Sequence, residues 1–206
     1  MIRSVKRSKA DAEQTREALI KAALKVFSTK GYTRATLDEI ARAAKVTRGA
    51  VYHHFTDKAD IYRTLLLESS RKSKDLIPAA IAEGGSFLQI IERVFVRQLA
   101  QFESDPELRA QALFALRGDY LSIESVRQDI EIRHSATLAQ LTKTFAEAQA
   151  GGVVRTDLAP RDIARSFIAL QNGLVHLSSL PGQPNSISES AAALAKVLLA
   201  GIQARD

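Results

Sequence analysis

The chain has 206 residues, 46% of them hydrophobic, a formal charge of +6 and no cysteine. That apolar content can bury one substantial core plus a small satellite domain, and the missing thiols exclude disulfides and thiolate metal sites. No stretch approaches the roughly 20 apolar residues that span a bilayer, and Met1 to Lys9 lacks the apolar run of a signal peptide, so the expected location is the cytoplasm, with no membrane partner.

The charge is uneven along the chain. Residues 1–74 hold 17 Lys/Arg against 8 Asp/Glu, a balance of +9, and residues 75–206 hold 12 against 15, a balance of −3, which together restore +6. A basic head on a slightly acidic body is the electrostatic footprint of a polyanion-binding module joined to something that is not itself a nucleic-acid surface.

Residues 1–10 read as a basic flexible arm. Arg3, Lys6, Arg7 and Lys9 form a disordered tail, with insertion into a minor groove as the alternative. A first helix runs from about Asp11 or Thr15 to Lys30, with Ile20, Ala23, Leu24 and Phe27 on its inner stripe and Gly31 placed to stop it. Thr36 and Glu39 have the spacing of a capping box, after which Leu37, Ile40, Ala41 and Ala44 share one face of a short second helix. Lys45-Val46 connects it to Thr47, which can cap a third helix. There Val51 and Phe55 face inward, whereas Arg48, Gly49, Tyr52 and His53 lie on the outward side. Two short helices and a tight turn, with a cationic, partly bare outer face on the second, make a helix-turn-helix over residues 11–55 whose partner is double-stranded DNA. Arg48 is placed for bidentate contact to guanine and Gly49 for close backbone approach. Thr36, Thr47, Tyr52, His53 and Lys58 are expected on phosphates.

Residues 56–206 read as a larger helical body. A fourth helix opens at Thr56 or Asp57, buries Ile61 and Leu65, and should end or kink at Pro78; it is the expected sole covalent lever between head and body. A fifth opens with the capping box Ser86/Gln89 and is apolar around most of its circumference through Phe102. Asp105-Pro106-Glu107 starts a sixth that ends near Gly118, and a seventh runs from about Ser122 to Ala150 before Gly151-Gly152. Pro160 opens an eighth, a loop spans 181–185, and Ser186 with Glu189 caps a ninth. The fold class is therefore all-α. Phe95, Phe102, Phe114 and Phe167, with Gln98, Arg117, His134 and Gln171 as polar anchors, describe either a small-molecule site or an ordinary aromatic core.

The segment from Ala18 to Phe27, Gly31-Tyr32-Thr33, Thr36 to Ala44 and Val46 to Phe55, followed by Lys58 and Ile61, resembles the DNA-binding domain of the tetracycline-repressor (TetR) family of transcriptional regulators. Within that family Val-Thr-Arg-Gly-Ala-Val-Tyr and the Phe114 segment look most like the AcrR-type drug-efflux repressors. The resemblance covers the first third of the chain. It implies a homodimer bound to a palindromic operator and released by a small apolar or aromatic effector, uncharged or cationic. It also implies a four-helix dimer interface from the last two helices, with Phe167, Leu174, Leu194, Leu198 and Ile202 as the expected contacts; their composition alone equally suits an intramolecular core.

Adjacent His53 and His54 point about 100° apart on a helix and lack a third ligand nearby, so no metal is expected. No cofactor is implied. No P-loop, Gly-x-Gly-x-x-Gly, Gly-x-Ser-x-Gly or His-Glu-x-x-His motif nominates an enzyme. The competing class is a DNA-binding regulator without a small-molecule effector, either controlled by a protein partner or acting as a dimeric architectural protein.

Overall fold

The computed structural model describes residues 9–72, 75–180, 182 and 186–204, leaving aside the side chains of 68–72. Among these the chain is all-helical, with ten α-helices, one 3-10 turn and, as its β feature, an isolated antiparallel bridge between Val154 and Gln203. It divides into two compact units. One holds the chain up to Glu68 together with Gly118–Arg127, and the other holds Ser69–Arg117 and the chain from Gln128 onward. The sequence set the boundary at 55/56 with a single crossing; the division by compactness has three, at 68/69, 117/118 and 127/128.

In the first unit, α1 (Lys9–Arg34) begins earlier than expected and takes up Lys9 of the basic arm, while Arg3, Lys6 and Arg7 lie outside the described residues. Its helical geometry breaks at Gly31, whose φ of 76° and ψ of 164° suit a residue without Cβ. Thr36 then starts α2 (Leu37–Ala43): the Glu39 N–H donates to Thr36 Oγ1 at 3.3 Å and the Thr36 N–H to Glu39 Oε2 at 3.1 Å. Lys45, at φ 58°, turns the chain toward α3 (Arg48–His54), which Thr47 caps through the Ala50 N–H at 3.2 Å. α4 (Lys58–Lys72) follows, with its residues up to Glu68 in this unit.

Phe27, Ile40, Val51, Ile61 and Tyr62 are all fully buried. The rings of Phe27, Tyr32 and Tyr62 stack mutually tilted or edge-on at 5.3–5.8 Å, geometries that favour aromatic pairs. Gly118–Arg127 adds a 3-10 turn at Asp119–Ser122 and the buried Ile123 and Val126, and Arg63 Nη2 donates to the Ser125 carbonyl at 3.0 Å.

The second unit contains α5 (Leu76–Ala82), α6 (Phe87–Ser104), α7 (Pro106–Leu116), most of α8 (Glu124–Ala150), α9 (Pro160–Leu177) and α10 (Ile187–Ile202). Pro78 neither ends nor kinks a helix. It sits in the first turn of α5, where its absent N–H has no helical acceptor to lose. The other boundaries follow their caps. Ser86 and Gln89 form the capping box of α6, Asp105 accepts from the Leu108 N–H at 2.9 Å ahead of Pro106, and Val153 donates to the Ala148 carbonyl at 3.0 Å to close α8. Of the expected loop 181–185, residues 181 and 183–185 lie outside the described residues.

α10 packs along α6 and α9. This corrects four of the five expected dimer contacts. Phe167, Leu174, Leu198 and Ile202 are 3–9% exposed and belong to the chain's own core, with Leu194 half-buried against it. Periodicity locates the apolar face of a helix but says nothing about which chain covers it.

Candidate nucleic-acid interface and small-molecule pocket

The exposed side of α3 carries Arg48, Gly49, Tyr52 and His53, with Thr47 at its cap. Ala50, Val51 and Phe55 anchor the opposite side in the core. Arg48 is held in a defined geometry: Nη1 meets Asp38 Oδ2 at 3.2 Å, Nη2 donates to the Tyr52 hydroxyl at 3.3 Å, and the guanidinium lies 5.8 Å from the Tyr52 ring centre. Those contacts raise its pKa further, the Tyr52 hydrogen bond first and the Asp38 charge second. Asp38, on α2, is the member of this group that the sequence reading missed; only the tertiary pairing of α2 with α3 reveals it.

Gly49 has no internal reason to be glycine. Among the described residues a Cβ built there meets only Thr47 Oγ1, at 3.9 Å, and its φ is not positive. A helical glycine costs about 0.5–1 kcal/mol relative to alanine. With Lys45, Val46, Thr47, Ala50 and His53 it borders a shallow recess of about 430 Å³. Gly49→Ala is therefore expected to raise stability by up to about 1 kcal/mol while weakening DNA binding, measured by thermal melting alongside operator titration. Equal DNA affinity in the variant would remove the close-approach role.

Thr36 is exposed, but its hydroxyl serves the capping box. Glu39, held below the usual carboxylate range by the Lys30 ammonium and then by the Thr36 N–H, completes that junction, with Lys30 Nζ at 2.5 Å. Lys58, expected on a phosphate, points elsewhere. Its Nζ donates to the carbonyls of Tyr32 (2.8 Å), Ala35 (2.9 Å) and Thr33 (3.4 Å) and lies 4.4 Å from the Tyr32 ring centre. The chain end of α1 leaves acceptors there, and a long cationic side chain at the start of α4 reaches them.

In the second unit, α5, α6, α8 and α9 border an open recess of about 640 Å³, within the range of small-molecule sites. Four of the eight sequence-nominated ligand residues line it: Gln98, His134, Phe167 and Gln171. Gln171 Nε2 donates to Gln98 Oε1 at 3.0 Å, so the two amides fix one another. Phe95, Phe102, Phe114 and Arg117 do not line it. Phe95 is fully buried with its ring edge-on to Phe167 at 5.3 Å, Phe102 packs on the core, Phe114 is buried on α7, and Arg117 is exposed beyond the end of that helix.

Sequence reasoning missed Arg133, one residue from His134 and three from Ile130, on the face of α8 that lines the recess. Its spacing was available, but a charged residue beside an apolar stripe reads as solvated. A groove of similar size, about 690 Å³, lies along α5, α6 and the start of α10; its walls mix Asp75, Arg97 and Glu103 and include none of the nominated residues. Among the described residues no helix is long and apolar enough to cross a membrane, and no group of three or more His, Cys, Asp or Glu could hold a metal ion.

The family model described as bacterial regulatory proteins, tetR family, matches residues 19–65, which span the inner part of α1, the helix-turn-helix and the start of α4. The chain is 30% identical over 177 residues to the HTH-type transcriptional repressor BepR of Brucella suis, covering 84% of each protein. It is 46% identical over 57 residues to the HTH-type transcriptional regulator AcrR of Shigella flexneri, 28% of this chain and 26% of that one. Among solved structures it is similar to the fatty acid degradation regulator FadR of Bacillus halodurans, with a TM-score of 0.77, 21% identity and coverage of 97% and 100%. It is also similar to SmeT, repressor of the Stenotrophomonas maltophilia multidrug efflux pump SmeDEF, with a TM-score of 0.72, 24% identity and coverage of 94% and 92%. At these identities the structural likeness shows the fold.

Proposed function

The chain belongs to the tetR family of bacterial regulatory proteins, and from that premise we propose that it is a cytoplasmic, homodimeric transcriptional repressor that leaves a palindromic operator when a small molecule enters the recess of its second unit. The observation that carries the DNA-binding half is the outer face of α3, where Arg48 is oriented by Asp38 and Tyr52 beside a glycine that the fold itself does not require. Two such helices in a dimer would read half-sites in successive major grooves, about 34 Å apart. The recess supports the sensing half. BepR, a repressor by its name, supports the repressor reading.

Dimerisation on this reading uses what α9 and α10 leave exposed, namely Ala193, Val197 and Ala200 along one side of α10, with Leu177 of α9. Val197 and Leu177 are 67% and 50% exposed. Small side chains between larger apolar ones let two helices approach closely. An effector-driven coupling of about 1–3 kcal/mol between recess and operator suffices for a 5- to 150-fold loss of affinity, and it is reciprocal, so DNA must weaken effector binding by the same factor.

Selection of bound fragments from genomic DNA tests the reading and supplies the operator. Arg48→Ala should then cost about 1–3 kcal/mol on the selected site, concentrated at one base position in each half-site. A uniform loss across all sequences would assign Arg48 to phosphate. Failure to enrich any palindrome would overturn the repressor reading.

A further inference from the structure

The charge of the recess is one-sided among the described residues that line it: Arg133 and His134 are ionisable and none is aspartate or glutamate, while Asp129 and Glu131 share α8 but do not line it. Apolar walls come from Val94, Ile130, Leu141 and Phe167. We infer that the recess takes an organic acid, a carboxylate or phenolate head on an apolar body, with the head against Arg133. This rests on the sensing reading above and specifies the chemistry of its effector.

Against the described lining, an entering cation would shed water without meeting a carboxylate and would face a guanidinium of like charge. An anion would gain charge-assisted hydrogen bonds, shorter and stronger than neutral ones. Arg133 already has an interaction within the chain, but a guanidinium carries five N–H donors in a planar fork and can serve an incoming anion as well. It is half-buried, and burial pushes its pKa down from the ordinary arginine value. A guanidinium stays protonated under such a shift, and partial removal from water leaves its attraction for an anion less screened. The cationic effector expected from the efflux resemblance does not fit this lining.

The test uses one apolar body with three heads: biphenyl-4-carboxylate, biphenyl-4-methanol and the biphenyl-4-yl trimethylammonium ion, titrated calorimetrically into the full chain. The carboxylate should bind at least tenfold more tightly than the ammonium ion, with the alcohol between them. Arg133→Gln should bring the carboxylate to within about threefold of the alcohol and leave the alcohol within twofold of its original affinity, while Arg133→Lys should restore part of the preference. Circular dichroism melting of both variants checks that α8 remains folded. Equal binding of the three probes, or an unchanged order in Arg133→Gln, overturns the acid preference and leaves a sensing pocket in place. Binding by none of the three removes the acid preference together with the sensing reading.

Discussion

Leu198→Glu is expected to unfold the protein, whereas Val197→Glu, one residue earlier, should leave it folded and separate the dimer. Leu198 is 6% exposed in the core where α10 meets α6 and α9, and Val197 is 67% exposed. An unpaired carboxylate in an apolar core costs several kcal/mol, a large part of the roughly 5–15 kcal/mol that holds a domain together. At position 197 the same charge stays in water within one chain and costs little, about 0.5 kcal/mol or less. Only in a dimer built on this face does it become buried.

Sedimentation velocity and helical circular dichroism separate the two outcomes. Val197→Glu should give helical monomers, and its operator affinity should fall by roughly 100-fold or more, because the second half-site is no longer delivered at the high effective concentration that the dimer provides. A dimeric, fully active Val197→Glu protein would move the interface off α10.

What the sequence made legible is the part written in local rules. The caps at Thr36, Thr47, Ser86 and Asp105 and the proline at 160 mark where helices begin, because each satisfies or spares backbone donors within its own turn. The inward direction of Val51 and Phe55 follows from spacing and fixes by elimination which side of α3 is exposed. Less was legible where the answer depends on a distant partner. Leu198 and Ile202 lie on a true apolar stripe, yet α6 and α9 of the same chain cover it. Aromatic content nominated Phe95 and Phe114 for a pocket, but large rings fill cores at least as readily as they wall cavities, and both are at most 1% exposed. Asp38 and Arg133 carry ordinary surface charges in sequence and acquire roles only when α2 meets α3 or α8 borders a recess.

Lys58 separates a structural lysine from a phosphate-binding one. Its ammonium is partly buried, and desolvation holds its pKa below the ordinary lysine range. The bonds to Tyr32, Thr33 and Ala35 and the Tyr32 ring offset that cost. Lys58→Met keeps much of the apolar stem and removes the donors, leaving carbonyls at the end of α1 without a partner at a cost of about 1–3 kcal/mol. In a chain of this size that lowers the melting temperature by several degrees. The slope of log affinity against log salt for operator binding should then stay unchanged, whereas loss of a phosphate contact would lower it by about one unit per site. Both quantities come from one preparation, by thermal melting and by operator titration between about 50 and 200 mM salt. A reduced slope with an unchanged melting temperature would mean that Lys58 leaves the α1 carbonyls for the DNA, restoring the role that its position at the start of α4 first suggested.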